Sequence, residues 1–199
     1  MRISGASSTA IQILRDEHSA MAAMLRSMGM LLDRGPQLEP VRFFEAVRAM
    51  LFYIDEFPER LHHPKESKYL FPRLAAAAPH LQPVLDRLEA DHLSGERRVR
   101  ELQHLLTAWE LIGEARREAF LAAAQEYVRF HLEHIQLEET EVLPLAAKAL
   151  SADDLEELDA VFCGLPEPMA TGVIGDPAYD RLFSHIVLNT PAPIGVGAA

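Results

Sequence analysis

Cysteine is almost absent from this 199-residue chain, whose only thiol belongs to Cys163. A single cysteine excludes an internal disulfide bond, and it excludes metal sites built from several thiolates, such as iron–sulfur clusters. The lack of disulfides is typical of proteins that work in a reducing compartment. Residues 1–10 are mostly small and polar and lack the apolar segment of a signal peptide. We therefore expect a cytoplasmic protein.

Basic residues are also scarce, because 19 lysines and arginines stand against 30 aspartates and glutamates, a net charge of −11. This balance argues against nucleic acid as a partner, since a nucleic-acid surface needs a basic patch. It argues equally against electrostatic docking on an anionic membrane. No apolar run approaches the roughly 20 residues of a membrane-spanning helix. With 49% hydrophobic residues, the chain is long enough to bury the core of one globular domain.

Strand patterns are missing too, and the sequence is typical of long helices. Breaks fall at Gly35-Pro36, at Ala78-Pro79 and at Gly113, and the stretches between them are rich in residues that favour helices. We predict four long helices and a shorter fifth, near residues 9–33, 40–77, 80–111, 114–149 and 151–162. Because the joints are short, the prediction is an all-α fold, an antiparallel up-down four-helix bundle.

The last part of the chain differs from the predicted bundle. Ser151, followed by two aspartates, provides a cap and an acidic first turn for the fifth helix. Residues 164–199 then contain five glycines and five prolines. A short apolar face within them is formed by Tyr179, Leu182, Phe183, Ile186 and Val187. We expect a bundle over residues 8–150 and, over residues 151–199, a short helix and a tail that pack on the bundle or on a partner, such as a second copy of the chain in a homodimer.

In two of the predicted helices a histidine replaces an aliphatic residue on the apolar face. A spacing of three and four residues marks a single buried stripe on a helix. In the first helix this stripe contains Ile11, Leu14, His18, Met21, Leu25, Met28 and Leu32. In the third helix it contains Leu85, Leu88, His92, Gly95, Val99, Leu102, Leu106 and Trp109. His18 and His92 are therefore predicted to lie in the core.

The second and fourth helices carry a matching histidine–glutamate pair. Each histidine is followed four residues later by a glutamate, and six residues after that by a proline. These residues are His62, Glu66 and Pro72 in one half, and His134, Glu138 and Pro144 in the other. The spacing from the lone histidine to the paired one is 44 residues in the first half and 42 in the second. This repeat indicates a duplicated helical hairpin.

Counted from the joints, the four histidines and two glutamates fall at a comparable depth, with one histidine from every helix. An unpaired buried charge costs several kcal/mol, whereas a domain is stable by only about 5–15 kcal/mol. The sequence therefore predicts two adjacent divalent metal ions, held by His18, His62, His92 and His134 and bridged by Glu66 and Glu138. Mixed nitrogen and oxygen donors suit iron, manganese or zinc, and six protein ligands leave positions open for a small molecule.

These six positions, with Phe71-Pro72 and Leu143-Pro144 after the two pairs, resemble the hemerythrin-like proteins of the HHE cation-binding type. The resemblance covers roughly residues 8–150. It implies a four-helix bundle around a non-haem di-iron centre that binds dioxygen or a related small ligand. The implied cofactor is thus a pair of iron ions, with zinc or manganese as less favoured alternatives.

The sequence departs from two groups within that family. Oxygen-carrying members use a second histidine one turn after the helix-three ligand, where this chain has Glu96. Four histidines and two glutamates look more like bacterial members linked to iron-centre repair and nitric oxide stress. Those members carry a further N-terminal cysteine-bearing domain, which has no counterpart in this sequence.

Other residues near the predicted ligands have weaker assignments. His62 lies on the apolar stripe of its helix and His63 points about 100° away, so we favour His62 as the ligand. A kink at Pro64 would exchange the two. Three residues are candidates for contacts with a bound cofactor or its small ligand, namely Tyr69, Tyr127 and His131. The remaining histidines are predicted to lie at the surface or in joints, namely His80, His104 and His185.

Two classes of function fit these expectations. The first is a binding protein that carries or senses O2 or NO, or buffers iron, at the site of four histidines and two glutamates. The second is a di-iron enzyme, an oxidase, a peroxidase or a protein that handles nitric oxide or repairs iron centres. A structural zinc or manganese site in an interaction protein is a third possibility, which metal analysis separates from the other two.

Overall fold

The structure, a computed structural model, describes residues 9–37, 39–163, 182, 184–188 and 190. Over these residues every regular element is helical and no strand occurs. The prediction of an all-α fold is therefore confirmed. Within the described part of the chain, no helix is both long and apolar enough to cross a membrane.

Five helical segments follow one another with short joints between them. They are α1 (Thr9–Arg34), α2 (residues 40–77), α3 (Gln82–Ile112), α4 (residues 117–149) and α5 (Ala152–Phe162). Single 3₁₀ turns, Pro79–Leu81 and Glu114–Arg116, lead into α3 and α4. The predicted helices agree with these bounds to within a few residues.

Two of the helices change their winding along their length. The π-helical turns, in which the backbone bonds reach five residues back, are Asp55–His62 and Glu66–Leu70 in α2 and Glu138–Val142 in α4. The α-helical parts around them are Pro40–Ile54, His63–Lys65, Phe71–Ala77, Arg117–Leu137 and Leu143–Ala149. The sequence analysis did not anticipate these wide turns.

The helix ends follow from local chemistry. Gly35 and Gly113, which follow α1 and α3, have φ angles of +68° and +102°, where a side chain would be strained. Ser151 caps α5 by accepting a hydrogen bond from the Asp154 amide, and the Asp154 carboxylate accepts one from the Ser151 amide in return. This capping box confirms the predicted start of α5.

The buried apolar residues form two clusters on opposite sides of a polar layer. On α1 the residues from Ala10 to Leu14 belong to one cluster and those from Met21 to Leu32 belong to the other, with His18 between them. On α3 the same division falls between Leu88 and Val99. Helix α3 packs against α2 and α4, while α1 packs against α2, α4 and α5. The predicted stripes of α1 and α3 are buried throughout.

The part of the chain after α4 also contributes to these clusters. Leu158 and Phe162 of α5 lie in the same cluster as Ala10, and Ile186 lies in the cluster that contains Met21. Of the apolar face predicted in the tail, Tyr179 and Phe183 lie outside the described residues. The division into a bundle and a separate tail remains a prediction.

Candidate metal centre

The two π turns that follow the histidine–glutamate pairs position the glutamates. Phe71 donates its backbone N–H to the Glu66 carbonyl, and Leu143 donates to the Glu138 carbonyl, each five residues back. In both cases the next residue is a proline, which has no N–H to donate and whose ring crowds the preceding turn. The repeated proline therefore gives the same wide turn in both halves, and such turns are frequent at functional sites.

The six residues predicted as ligands come together as two groups. One group contains His18, His62, Glu66 and Glu138, and the other contains Glu66, His92, His134 and Glu138. Within each group the candidate donor atoms lie within 4.8 Å of one another, and all the residues are buried. Because both groups share the same two glutamates, the two groups lie side by side, and each of them could hold a cation.

The ring nitrogens face the carboxylates at short range. The Nε2 atoms of His18 and His62 are 3.1 Å apart, and those of His92 and His134 are 3.3 Å apart. His18 Nε2 lies 3.2 Å from Glu138 Oε2, and His62 Nε2 lies 3.4 Å from Glu66 Oε1. In the second group, His92 Nε2 lies 3.6 Å from Glu66 Oε2. A cation between these atoms would contact nitrogen and oxygen together.

The two shared glutamates test whether the site fits a metal ion. Glu66 and Glu138 have no exposure to solvent, and none of their four carboxylate oxygens has a hydrogen-bond donor. Burying a carboxylate without a counter-charge costs several kcal/mol. The imidazoles around these two glutamates supply that charge only when they are protonated. Metal ions bridging the two carboxylates would remove this cost, so the residues present fit a pair of cations.

The outer nitrogens of the imidazoles are held by a second ring of residues. His18 Nδ1 lies 2.8 Å from Glu139 Oε1, and His62 Nδ1 lies 2.7 Å from Glu17 Oε2. An ionised carboxylate can only accept, so each Nδ1 carries a proton, and each Nε2 that gives up its own proton turns a lone pair toward the centre. This orientation is the usual one for histidines that bind metals through Nε2.

In the second half, the outer nitrogens of the imidazoles face a hydroxyl and a more distant carboxylate. His92 Nδ1 lies 3.0 Å from the Ser67 hydroxyl, which donates its own proton to Glu89. His134 Nδ1 lies 3.6 Å from Asp91 Oδ2, too far for a hydrogen bond. The supporting residues occupy matching positions, because an acidic residue precedes each lone histidine and a polar residue follows each glutamate of a pair. This adjacency is the sequence signal that could have revealed them.

The histidines of the two groups differ in pKa. Burial opposes the charge of His62, but Glu66 and Glu17 outweigh burial and raise the pKa of His62 to about 9. Burial also opposes the charge of His18, whose pKa is nevertheless raised well above its usual value by Glu138, Glu139 and Glu66. In the second group, burial lowers the pKa of His92 to about 2. Burial also opposes the charge of His134, but Glu138, Asp91 and Glu66 raise its pKa. Protons therefore compete with metal at His18, His62 and His134, and not at His92.

A fully buried lysine belongs to the first half, and the sequence analysis did not anticipate it. Lys65 has no exposure, and its ammonium donates a hydrogen bond to Glu17 Oε1 at 3.0 Å. Since the other oxygen of Glu17 holds His62, the lysine fixes the carboxylate that orients this imidazole. Lysine is almost never fully buried unless it is paired. Lys65 and Glu17 thus form a buried ion pair behind the first group.

A further polar network lies beside the second group. Glu59 accepts a hydrogen bond from the Tyr127 hydroxyl at 3.1 Å, its other oxygen lies 3.2 Å from His63 Nδ1, and His131 Nε2 is 3.2 Å from Oε1. Burial opposes the charge of Glu59, but His131 and His63 hold the pKa of its carboxyl well below the usual range. The sequence analysis predicted that His63 points away from the cluster, whereas in the structure its side chain is buried.

Of the three candidates for contact with a bound cofactor or ligand, two lie in this network. Tyr127 and His131 are buried around Glu59. Tyr69 is half-buried, its ring lies beneath the Lys68 ammonium at 4.7 Å, and it packs against the cluster that contains Leu70. The three histidines predicted outside the core, His80, His104 and His185, are exposed. Glu96 is exposed and paired with Arg100.

Helices that surround two groups of buried histidines and carboxylates define a helical cation-binding protein. Residues 9–146 match the hemerythrin HHE cation-binding domain, and the chain belongs to this family. The resemblance found in the sequence is therefore confirmed. A protein of Haemophilus influenzae described as uncharacterized is 30% identical over 151 residues, which cover 74% of this chain and 84% of that protein.

Proposed function

We propose that the protein binds two iron ions in the polar layer and uses them to bind O2 or a related small ligand such as NO. The first ion takes His18 and His62, the second takes His92 and His134, and both carboxylates bridge. The observation that carries the proposal is the pair of glutamates shared by both groups, with four buried oxygens that lack donors. Bound iron would supply the electrons for reversible ligand binding.

The donor set favours iron over zinc. Structural zinc sites use four ligands in a closed tetrahedron, commonly with thiolates, and this chain has one cysteine that is exposed. Here each position has two imidazoles and two shared carboxylates. An octahedral ion so held keeps open positions, which suits a small exchangeable ligand.

The shape of the surrounding core supports a small apolar ligand. A pocket lined by Met21, Leu25, Ile54 and Ile135 reaches His63 and His131. The cavity has a volume of about 10 Å³, which leaves room for a very small molecule and none for a larger substrate. In this proposal Tyr127 and His131 contact the bound ligand or its protons, and Tyr69 is a weaker candidate.

The antiparallel up-down order of four helices is part of the same proposal. Contacts of α1 with α2 and α4, and of α3 with α2 and α4, support it. One exposed cysteine supports a reducing compartment, so we place the protein in the cytoplasm.

Metal analysis of protein purified without oxygen tests the proposal, followed by visible spectra during slow exposure to air. We expect two irons per chain and a new charge-transfer band in air. Reversal of the band under vacuum would favour a carrier or sensor, and an irreversible change with turnover would favour the di-iron enzyme. One zinc ion, or a folded protein that binds no metal, would contradict the proposal.

Variants locate the site in the same experiment. Glu138→Ala is expected to lose at least one metal ion per chain, because its carboxylate belongs to both groups. His104→Ala changes an exposed histidine of α3 and should keep both ions. Equal metal content in the two variants would show that the ions bind elsewhere.

A further inference from the structure

A buried pair of charges lies behind the first donor group. Lys65 and Glu17 have no exposure to solvent, and the Lys65 ammonium donates a hydrogen bond to Glu17 Oε1 at 3.0 Å. The other carboxylate oxygen of Glu17 lies 2.7 Å from His62 Nδ1. A continuous line of hydrogen bonds therefore runs from the ammonium through the carboxylate to an imidazole of the first group.

Helix α5 covers the ammonium end of this line. The Lys65 ammonium lies 5.4 Å from the centroid of the Phe162 ring, which is within the range of a cation–π contact. Phe162 is the last residue of α5 and is 1% exposed. The face of an aromatic ring attracts an ammonium ion but is no carboxylate, so it does not replace Glu17 as the acceptor. The ring therefore keeps water from Lys65 without drawing the ammonium away from Glu17.

Helix α5 is fixed to α1 independently of Lys65. The Asp159 carboxylate accepts a hydrogen bond from the Ala10 amide at 2.7 Å. Leu158 is 1% exposed and lies in the same apolar cluster as Ala10 and Phe162. Helix α5 lies beyond residue 146, where the match to the HHE domain ends. The cover over Lys65 therefore comes from a part of the chain that the domain match does not include.

The second half of the bundle provides an internal comparison. The residue that corresponds to Lys65, three positions after the paired histidine, is Leu137. The residue that corresponds to Glu17 is Asp91, whose Oδ2 atom lies 3.6 Å from His134 Nδ1, too far for a hydrogen bond. The Asp91 side chain is 19% exposed. Where a leucine stands in place of the lysine, the carboxylate is thus partly exposed and does not hold its imidazole.

We infer that Lys65 and Phe162 are positioning residues for the first cation position, so that α5 helps to set how firmly this position holds its ion. This inference rests on the proposed function. Lys65 fixes the Glu17 carboxylate, and Glu17 orients His62 toward the ion. Phe162 keeps the pair of charges dry. Because Asp91 stands in place of this support in the second half, loss of the cover should weaken one ion and spare the other.

Cobalt(II) titration of the metal-free protein without oxygen tests the inference, with visible absorption and metal analysis as readouts. Phe162→Ala opens the cover and leaves every donor residue unchanged. We expect one of the two dissociation constants to rise by about tenfold, since loss of a residue that supports a ligand costs about 10–100-fold. The other constant should not change. Phe162→Leu keeps an apolar cover and should restore most of the lost affinity.

Lys65→Met tests the same line of hydrogen bonds from its other end. Methionine keeps an apolar stem but leaves Glu17 without its ammonium, so the same dissociation constant should rise by up to about 100-fold. Glu17→Gln should affect this constant too, whereas Asp91→Asn should affect only the other one. Phe162→Ala alone decides the inference if Lys65→Met fails to fold.

Proton NMR of the cobalt-loaded protein separates positioning from a general loosening of the fold. The metal shifts the imidazole N–H signals of its ligands away from the rest of the spectrum. The Nδ1–H of His62 is held by a buried carboxylate, so its exchange with solvent should be slow. In Phe162→Ala this one signal should exchange faster, and His62→Ala identifies it by its loss.

Two comparisons separate the possible failures. Leu158→Ala is the matched control, because it removes an equally buried side chain of α5 and keeps the Phe162 ring. It should lower the melting temperature and leave both dissociation constants unchanged. If Phe162→Ala matches this control, or raises both constants alike, α5 only packs on the bundle and the inference is wrong. If His62→Ala keeps both ions with unaltered constants, the proposed function itself fails.

Discussion

Replacement of Glu66 by glutamine should reduce the stability that bound metal adds to the fold. The carboxylate belongs to both donor groups, and its oxygens lie 3.4–3.7 Å from the nearest Nε2 atoms of three histidines. A ligand at one hundred times its dissociation constant stabilises a fold by about 2.7 kcal/mol, so two such ions would add about 5 kcal/mol. For a chain of this size, each kcal/mol shifts the melting temperature by about 2–4 °C. The unaltered protein should therefore melt about 10–20 °C higher with metal than without it.

In Glu66→Gln this metal-dependent shift should fall below about half its original value, because neither ion keeps both bridging carboxylates. The assay is differential scanning calorimetry at fixed free metal concentration, with and without a chelator. Glu96→Gln is the matched control, since Glu96 lies exposed on α3 and pairs only at the surface with Arg100. A Glu66→Gln protein with the full shift would refute the bridging role.

Three more predictions follow from the surroundings of the ligands. Glu17→Gln should weaken metal binding about 10–100-fold, measured by competition with a chelator, because this carboxylate orients His62. Metal affinity should rise with pH from about 6 to 9, with release of protons at pH 7, because the raised pKa values of His18, His62 and His134 favour their protonated forms in the metal-free protein. Calorimetry in buffers of different ionisation enthalpy counts these protons, and a flat pH dependence would contradict the assignment. Gly95→Ala should destabilise the fold by about 1–3 kcal/mol in denaturant unfolding, because its Cβ would collide with Glu59; an unchanged stability would show that Glu59 moves freely.

The helices and the burial of the six predicted ligands could be predicted from the sequence because both depend on periodicity. The stripe that includes His18 repeats every three or four residues, and such a repeat fixes which face of a helix is buried. The duplication of the hairpin then supplied the depth of each histidine. The joint at Gly113 could be predicted from local sequence as well, because a glycine after a helix ends that helix without strain.

The burial of His63 and Lys65 could not be predicted in the same way. A helical projection assumes a constant rotation per residue, and the π turn over Asp55–His62 breaks that assumption for every residue that follows. Burial of Lys65 depends on a partner 48 residues away, Glu17, which no local pattern in the sequence identifies. Burial of Lys65 arises from packing of α1 against α2, whereas His63 is buried against His92 of α3 and His131 of α4.

The duplication gives the two donor groups a matching geometry but different electrostatics. The paired histidine of the first half is backed by Glu17, which is fully buried with Lys65, whereas its counterpart in the second half faces Asp91 at 3.6 Å with 19% exposure. The lone histidines differ in the same sense, because a carboxylate supports His18 and a hydroxyl supports His92. A carboxylate behind an imidazole raises its basicity as a ligand, and a hydroxyl does so less. The imidazoles of the first group are therefore the more basic donors, and in the proposed function the ion that they hold would be the one that a bound ligand oxidises more readily.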